Sequence, residues 1–185
     1  MPRRVEDYRG LAQASRVKLL HEIQRVPGQK LDELAAAVGL HINTARDHLR
    51  VLEDEGLIVS RPITTGCRGR PPVVFESVQA AGVNPRADSR ATESQAQGDL
   101  LRRIYPTLDK SHEIGIDAQH QIDTLYTHLE DVGLEPELDE NALGLTVLPC
   151  AQYDLTEGKT SAVCAVHARL IQEQLSQVDG PLQME

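Results

Sequence analysis

Aromatic side chains are scarce in this sequence of 185 residues, which has no Trp, one Phe and four Tyr. Proteins that bind single-stranded nucleic acid usually stack bases on aromatic rings, so the scarcity argues against that class. Long apolar runs are also missing, and no stretch approaches the roughly 20 residues that a membrane-spanning helix needs. The N-terminal sequence MPRRVEDYRG has basic residues but no apolar segment after them, unlike an export signal. We therefore expect a cytoplasmic protein with no membrane partner.

Cysteine is rare too, with three residues in the chain. An odd number without an export signal makes a disulfide framework a poor interpretation and leaves metal binding or thiol chemistry open. Cys67 falls in a basic turn far along the chain from Cys150 and Cys164. We expect the latter two to be the chemically relevant pair.

Basic residues are fewer than acidic ones, and the net charge is −9, but the excess of acidic residues lies in one half of the chain. Residues 1–79 hold 12 Lys and Arg against 10 Asp and Glu, a balance of +2, whereas residues 80–185 hold 7 against 18, a balance of −11. A mildly basic first half with clustered Arg is compatible with phosphate binding, and an acidic second half would be held away from a duplex.

The stretch 39–56, GLHINTARDHLRVLEDEG, carries the strongest pattern in the sequence. Ala45, Leu49 and Leu52 recur at i, i+4 and i+7, which predicts a helix that buries this stripe. Short polar and forked cationic side chains occupy the other side, where they can hydrogen-bond base edges or phosphates: Asn43, Thr44, Arg46, Asp47 and Arg50. This arrangement is typical of a recognition helix.

The flanking segments complete a winged helix-turn-helix. Asp32 is predicted to cap a short helix that Gly39 ends, so that two helices meet at a tight turn. After Gly56, the segments 57–60 and 73–75 alternate as strands and predict a hairpin, the wing. Its turn, RPITTGCRGRPP, offers a stiff basic loop that contains Arg61, Arg68 and Arg70.

These features predict binding to double-stranded DNA. Asn43 is suited to adenine and Arg46 or Arg50 to guanine, while Asp47 is suited to accept from cytosine or to orient the arginines. We assign Thr44 and the arginines of the wing to phosphate. Two copies would read a near-palindromic operator as a homodimer. The alternative is a protein-interaction module that uses the same surface on a protein partner.

The remaining segments give a coarser outline. An apolar pattern predicts a first helix over 11–26, and residues 79–97, which lack an apolar period, are interpreted as a linker. Apolar residues then predict a helix over 99–108 that Pro106 disturbs. The most regular apolar stripe in the chain, on the next helix, consists of Ala118, Ile122, Leu125, Leu129 and Val132. A strand over 143–148 and a final helix over about 160–175 follow.

The predicted fold class is accordingly α+β. A winged helix-turn-helix domain occupies 1–78, the linker 79–97, and a small α/β domain for sensing and dimerisation 98–185.

A possible ligand set lies near the end of the chain. Cys150 follows the predicted strand, and Cys164 and His167 are i, i+3 neighbours on the last helix. Thiolate and imidazole ligands suit zinc, and thiolates suit iron-sulfur clusters. The alternatives are buried, inert side chains and a thiol that senses redox state. An enzyme with Cys164 as nucleophile and His167 as base lacks an oxyanion element and an orienting group, so we expect no enzymatic activity.

The sequence also resembles a known family. GLHINTARDHLRVLEDEGLI followed by RGRPP is similar to the winged helix of ArsR-like bacterial repressors. The stretches DTLYTHLEDVGLEPEL, LTVLPC and AVCAVHARL resemble the C-terminal domain of a subgroup that includes the iron-sulfur repressors of the Suf operon. Cys150 and Cys164 fall on that subgroup's two cysteine positions. Pro149 precedes Cys150 and Ala151 follows it, whereas the subgroup has the reverse kind of neighbours at this cysteine. The resemblance implies a repressor with an iron-sulfur cluster, a zinc or iron ion, or no cofactor, in its C-terminal domain.

Overall fold

A computed structural model describes residues 11, 13–64, 71–132, 136–139, 144–147 and 162–184. Three helices begin the described chain: α1 (Ala14–Arg25), α2 (Leu31–Val38) and α3 (Ile42–Asp54). They confirm the predicted helix, turn and helix, and α1 starts three residues later than expected. Gly39 ends α2 in the left-handed conformation at φ 69°, which a residue without Cβ adopts at little cost.

The predicted cap of α2 was wrong. The helix begins at Leu31, so Lys30 holds the cap position and Asp32 lies within the first turn. The backbone N–H of Lys30 donates to Oε2 of Glu33 at 2.8 Å. A carboxylate three residues into the helix thus takes over the role expected of Asp32.

A three-stranded antiparallel sheet packs beside these helices. Its strands are β1 (Gln29–Lys30), β2 (Ile58–Pro62) and β3 (Val73–Ser77), in the spatial order β1-β3-β2. β2 and β3 form the predicted wing hairpin, in which Ser60 lies opposite Phe75. The tip of the wing, residues 65–70, lies outside the described residues.

The predicted linker is largely helical. α4 (Pro85–Ile104) begins inside the segment 79–97, and Oδ1 of Asn84 caps it by accepting from the backbone N–H groups of Arg86 and Ala87. Its buried face consists mostly of small side chains, with one Arg: Ala87, Arg90, Ala91, Ser94 and Gly98. A search for apolar periodicity misses such a helix because Ala, Ser and Gly give a weak signal.

The predicted helix over 99–108 is split as its proline suggested. α4 ends at Ile104, and a 3₁₀ turn (Pro106–Leu108) and the short α5 (Ser111–Ile114) follow. Leu100, Leu101, Ile104 and Leu108, which predicted the helix, are all exposed in the structure. The face that packs inward is the one with small and polar residues.

The C-terminal half contains α6 (Ile116–Asp131), a hairpin of β4 (Pro136–Asp139) and β5 (Gly144–Val147), and α7 (Ala162–Ser176). The stripe on α6 is confirmed, since Ala118, Leu125 and Leu129 are buried. None of the described helices is both long and apolar enough to cross a membrane.

One hydrophobic cluster joins the two predicted domains. Val166 and Leu170 of α7 lie in the same buried cluster as Leu19, Leu20 and Ile23 of α1. A smaller cluster contains Leu125, Leu129 and Leu175, which belong to α6 and α7. Helix α7 therefore contributes to the core beneath the winged helix as well as to the core of its own half.

Candidate nucleic-acid interface

Buried apolar residues fix the orientation of α3. Ala45, Leu49 and Leu52 are almost completely buried, as their spacing predicted. Because they share one face of the helix, the opposite face is turned towards solvent. At the start of the helix, Nδ1 of His41 accepts from the backbone N–H of Asn43 at 3.3 Å, a cap that the sequence analysis did not identify.

The five side chains of α3 selected from the sequence are all exposed: Asn43, Thr44, Arg46, Asp47 and Arg50. Within this set, Nη1 of Arg46 donates to Oδ1 of Asn43 at 2.7 Å. The contact holds the guanidinium beside the amide one turn earlier, and it leaves the remaining N–H groups of both side chains for a ligand. Residue spacing placed these two side chains on neighbouring turns, but only the coordinates show the hydrogen bond.

A network of hydrogen bonds attaches the wing and α4 to the end of α3. Oε1 of Glu53 accepts from the backbone N–H of Ser60 at 3.0 Å and from its hydroxyl at 2.6 Å. Nδ2 of Asn84 donates to the backbone carbonyls of Glu53 and Ile58, both at 3.1 Å. Arg90 of α4 donates to the carbonyl of Glu55 at 2.9 Å. The relative positions of α3, β2 and α4 are therefore set by directional contacts.

The wing arginines are only partly described. Arg61 is exposed on β2, and its Nε lies 3.6 Å from Oε2 of Glu76 on β3. That exposed ion pair is weak and easily exchanged for another anion. Arg68 and Arg70 lie outside the described residues.

A cationic residue of α1, Arg16, acts on a side chain of α3. Burial lowers the pKa of His48, which is half-buried on α3, and the charge of Arg16 lowers it further. Arg16 therefore lies close enough to α3 to act on it, and Lys18 of α1 is exposed. The first helix thus adds the charge of Arg16 to the neighbourhood of the recognition helix.

The possible ligand set in the second half is described in part. Cys164 is exposed near the start of α7, and His167 is half-buried one turn later. Burial lowers the pKa of His167, which favours the neutral imidazole that a metal ligand must have. Cys150 lies outside the described residues, and among those that are described no three His, Cys, Asp or Glu side chains are grouped to hold a metal. The ligand set therefore stays a prediction, of which the described part of the chain contains Cys164 and His167.

A further histidine near His167 was not selected from the sequence. His128 of α6 is completely buried, and burial, with smaller effects of Arg90 and His167, lowers its pKa to about 3. It is therefore uncharged at neutral pH. Its place in the chain gave no indication of burial, because it lies next to the apolar stripe of α6 and not within it.

Comparison with known proteins agrees with the geometry of the N-terminal half. Residues 14–59 match the protein family described as winged helix-turn-helix DNA-binding. The match runs from the start of α1 into β2 and covers all of α3. Comparisons with curated proteins and with solved structures gave no significant match. The chain therefore carries a winged helix-turn-helix DNA-binding domain, the type of domain found in DNA-binding regulators.

Proposed function

We propose that this protein is a transcription regulator that inserts α3 into the major groove of double-stranded DNA. The observation that carries the proposal is the exposure of Asn43, Arg46 and Arg50 on a helix whose other face is locked into the core. A major groove about 12 Å wide admits one α-helix, and amide and guanidinium groups are the usual partners of adenine and guanine there.

The side chains of α3 divide into two roles in this proposal. Asn43 pairs with adenine, and Arg46 or Arg50 pairs with guanine, while Asp47 accepts from cytosine or orients the arginines. Thr44, at the start of the helix, binds phosphate, together with Arg61, Arg68 and Arg70 of the wing. The hydrogen bond between Arg46 and Asn43 lowers the entropy that these two side chains lose on binding.

We further propose that the protein is an ArsR-like repressor and that it reads a near-palindromic operator as a homodimer. An operator of two half-sites needs two copies of α3 related by two-fold symmetry. The acidic second half, at −11, keeps nonspecific contact with the phosphate backbone low, so that the winged helix makes the contacts.

Control by a cofactor in the second half is the remaining part of the proposal. Cys150, Cys164 and His167 would hold an iron-sulfur cluster, or a zinc or iron ion, and such a group would make DNA binding responsive to oxidants or metal supply. Helix α7 is suited to transmit that response, because Val166 and Leu170 pack against α1 a few residues from Cys164 and His167. Anaerobic purification followed by an optical spectrum and metal analysis tests it. A colourless, metal-free protein with full operator binding would exclude this control.

Selection of duplexes from a random pool, followed by binding measurements on variants, tests DNA recognition. We expect Arg46→Ala or Arg50→Ala, whichever residue pairs with guanine, to cost about 1–3 kcal/mol on the selected site and to relax specificity at one base pair. Arg25→Ala is the matched control, since Arg25 is exposed at the end of α1 and pairs with Glu22. Equal losses on the selected duplex and on a base-substituted one would assign the residue to the phosphate backbone instead.

The dependence of binding on salt separates DNA from a protein partner. Release of counterions makes the logarithm of DNA affinity fall steeply with the logarithm of salt concentration, by nearly one unit for each phosphate neutralised. No selectable duplex, or a flat salt dependence, would favour the protein-interaction module and contradict the proposal.

A further inference from the structure

Six large apolar side chains are exposed together where α4 ends and α6 begins. Each is between 41% and 57% exposed: Leu100, Leu101, Ile104, Tyr105, Leu108 and Ile116. The first five follow one another through the last turn of α4 and the 3₁₀ turn. Nε2 of Gln119 donates to the carbonyl of Leu108 at 3.0 Å, which ties the start of α6, with Ile116, to the same surface. We call these six residues the apolar patch.

The exposure of the patch follows from how α4 packs on α6. Arg102 points inward, where its guanidinium donates to both carboxylate oxygens of Asp123 at 3.0 and 2.8 Å and to Asp99 at 2.8 Å. Gly98 lies against the Asp123 side chain, so a Cβ there would collide with the carboxylate. This ion pair and close approach fix the rotation of α4. The neighbouring leucines and Ile104 are consequently directed away from α6.

The apolar patch has the size of the apolar centre of an interface. Six half-exposed side chains offer on the order of 500 Å² of apolar surface, about three fifths of the roughly 800 Å² that each partner gives to a standard interface, and this is the usual apolar share. A polar rim surrounds the apolar centre. Its exposed members carry both signs of charge: Arg103, Asp109, Glu113 and Asp117.

We propose that the apolar patch is the surface through which two copies of this chain form a two-fold dimer. In such a dimer the same patch meets itself, so a rim with only one sign of charge would repel its copy, whereas this rim offers Arg103 of one copy as a partner for acidic side chains of the other. The apolar patch is then the interface of the homodimer in the proposed function. Only the role of this dimer on DNA rests on that function.

The patch is also linked to the recognition helix. Helix α4 runs from the patch to Asn84, whose amide is bonded to the end of α3, and its 20 residues span about 30 Å as a rigid rod. A dimer joined at this patch therefore holds two copies of α3 at a fixed separation, as reading of two half-sites requires.

The experiment measures the molar mass of the full chain by light scattering and sedimentation between 1 and 100 µM, concentrations on the order of those used to detect micromolar association. We expect a dimer for the wild type and at least a roughly 30-fold higher dissociation constant for Ile104→Glu and for Leu108→Glu. Val26→Glu, which alters an exposed apolar residue outside the patch, should remain dimeric. A monomeric wild type at 100 µM, or dimers that both patch variants leave intact, would overturn the proposal.

Hydrogen exchange of the wild type provides a second measurement that needs no variant. Amides of residues 100–108 should exchange more slowly in a sample that the mass measurement shows to be dimeric than in one diluted until it is monomeric. Equally slow exchange in the dimeric and the monomeric sample would show that the patch is not covered by a second copy, and would also overturn the proposal.

DNA binding is measured separately, so that a failure of the proposed dimer surface can be told apart from a failure of the proposed function. Ile104→Glu should bind a single half-site as the wild type does and lose affinity for the full operator. If the wild type forms the expected dimer but does not bind DNA, the proposed function is contradicted and the proposed dimer surface is not.

Discussion

In the winged helix the buried side chains are mostly branched and aliphatic, whereas in α4, α6 and α7 many of the buried ones are polar or ionisable. Among the described residues, the first region buries Leu19, Leu20, Ile23, Leu34, Leu49, Leu52, Leu57 and Ile58. The second region buries Arg90, Ser94, Gln119, Gln121, Thr124, His128, Glu173, Gln174 and Gln177. Apolar burial is non-directional and insensitive to pH, while a buried polar group needs a particular partner.

Helix α7 is where the two kinds of core meet. Its apolar side chains join the cluster beneath α1, but Glu173 accepts from Nε2 of Gln24 at 3.1 Å and Gln177 donates to the carbonyl of Val78 at 3.2 Å. Burial raises the pKa of Glu173. The contact between the two halves thus contains hydrogen bonds that depend on geometry and on the protonation of Glu173.

The largest effect is expected from a cavity in the winged helix. Leu49→Ala should lower the free energy of unfolding by about 2–5 kcal/mol, since Leu49 is 1% exposed and its neighbours are held by the rest of the core. DNA binding should weaken with it, because the stripe on α3 orients the polar face. Urea denaturation measures the loss. Val26→Ala, at a residue 37% exposed, is the control and should change stability by less than about 1 kcal/mol.

An intermediate effect is expected from a buried amide in the second half. Nε2 of Gln121 donates to the carbonyl of Leu175 at 2.9 Å, and its Oε1 accepts from the backbone N–H of Leu182 at 2.8 Å. Gln121→Ala leaves these groups without that partner and should cost about 1–3 kcal/mol. It should also speed hydrogen exchange and proteolysis at residues 178–184.

The matched control for Gln121 is Gln172, a half-buried amide whose hydrogen bond to the same segment is exposed to solvent. Oε1 of Gln172 accepts from the backbone N–H of Met184 at 3.1 Å. Gln172→Ala should cost less than about 0.5 kcal/mol, because water can replace an exposed partner. Equal losses in the two variants would contradict the view that buried polar contacts hold the second half together.

The smallest effect near neutral pH is expected from the protonation of His128, and it grows as pH falls. Its folded-state pKa of about 3 lies below its ordinary value of 6.5, so between these values the unfolded chain binds a proton that the folded chain does not. This contribution to stability is complete above pH 6.5 and declines as pH falls, by up to about 1.4 kcal/mol for each pH unit. Glu173, with its raised pKa, changes stability in the opposite sense, because the unfolded chain loses its proton first as pH rises.

Urea denaturation between pH 7.5 and 4.5 checks the contribution of His128. His128→Gln should flatten the decline in stability below pH 6.5, while His112→Gln, at an exposed histidine, should follow the wild type. A variant at position 128 with the full wild-type slope would show that the acid sensitivity arises from other groups.

The sequence predicted more of the winged helix than of the second region, for a physical reason. The spacing of Ala45, Leu49 and Leu52 predicted α3, because apolar side chains at helical spacing have few alternatives to burial. The part of α4 before residue 99 was missed because Ala91, Ser94 and Gly98 make a packing face by being small. The burial of His128 and Glu173 was missed too, since the residue type alone predicts exposure.

By itself, the sequence determined that the segment 40–56 contains an amphipathic helix with an exposed polar face, because that outcome depends on local spacing and on the free energy of burying three side chains. Tertiary structure alone decided that Arg102 turns inward and leaves Leu100 and Ile104 exposed, and that α7 shares a core with α1. Those outcomes depend on distances between segments far apart in the chain, which periodicity within one segment does not encode.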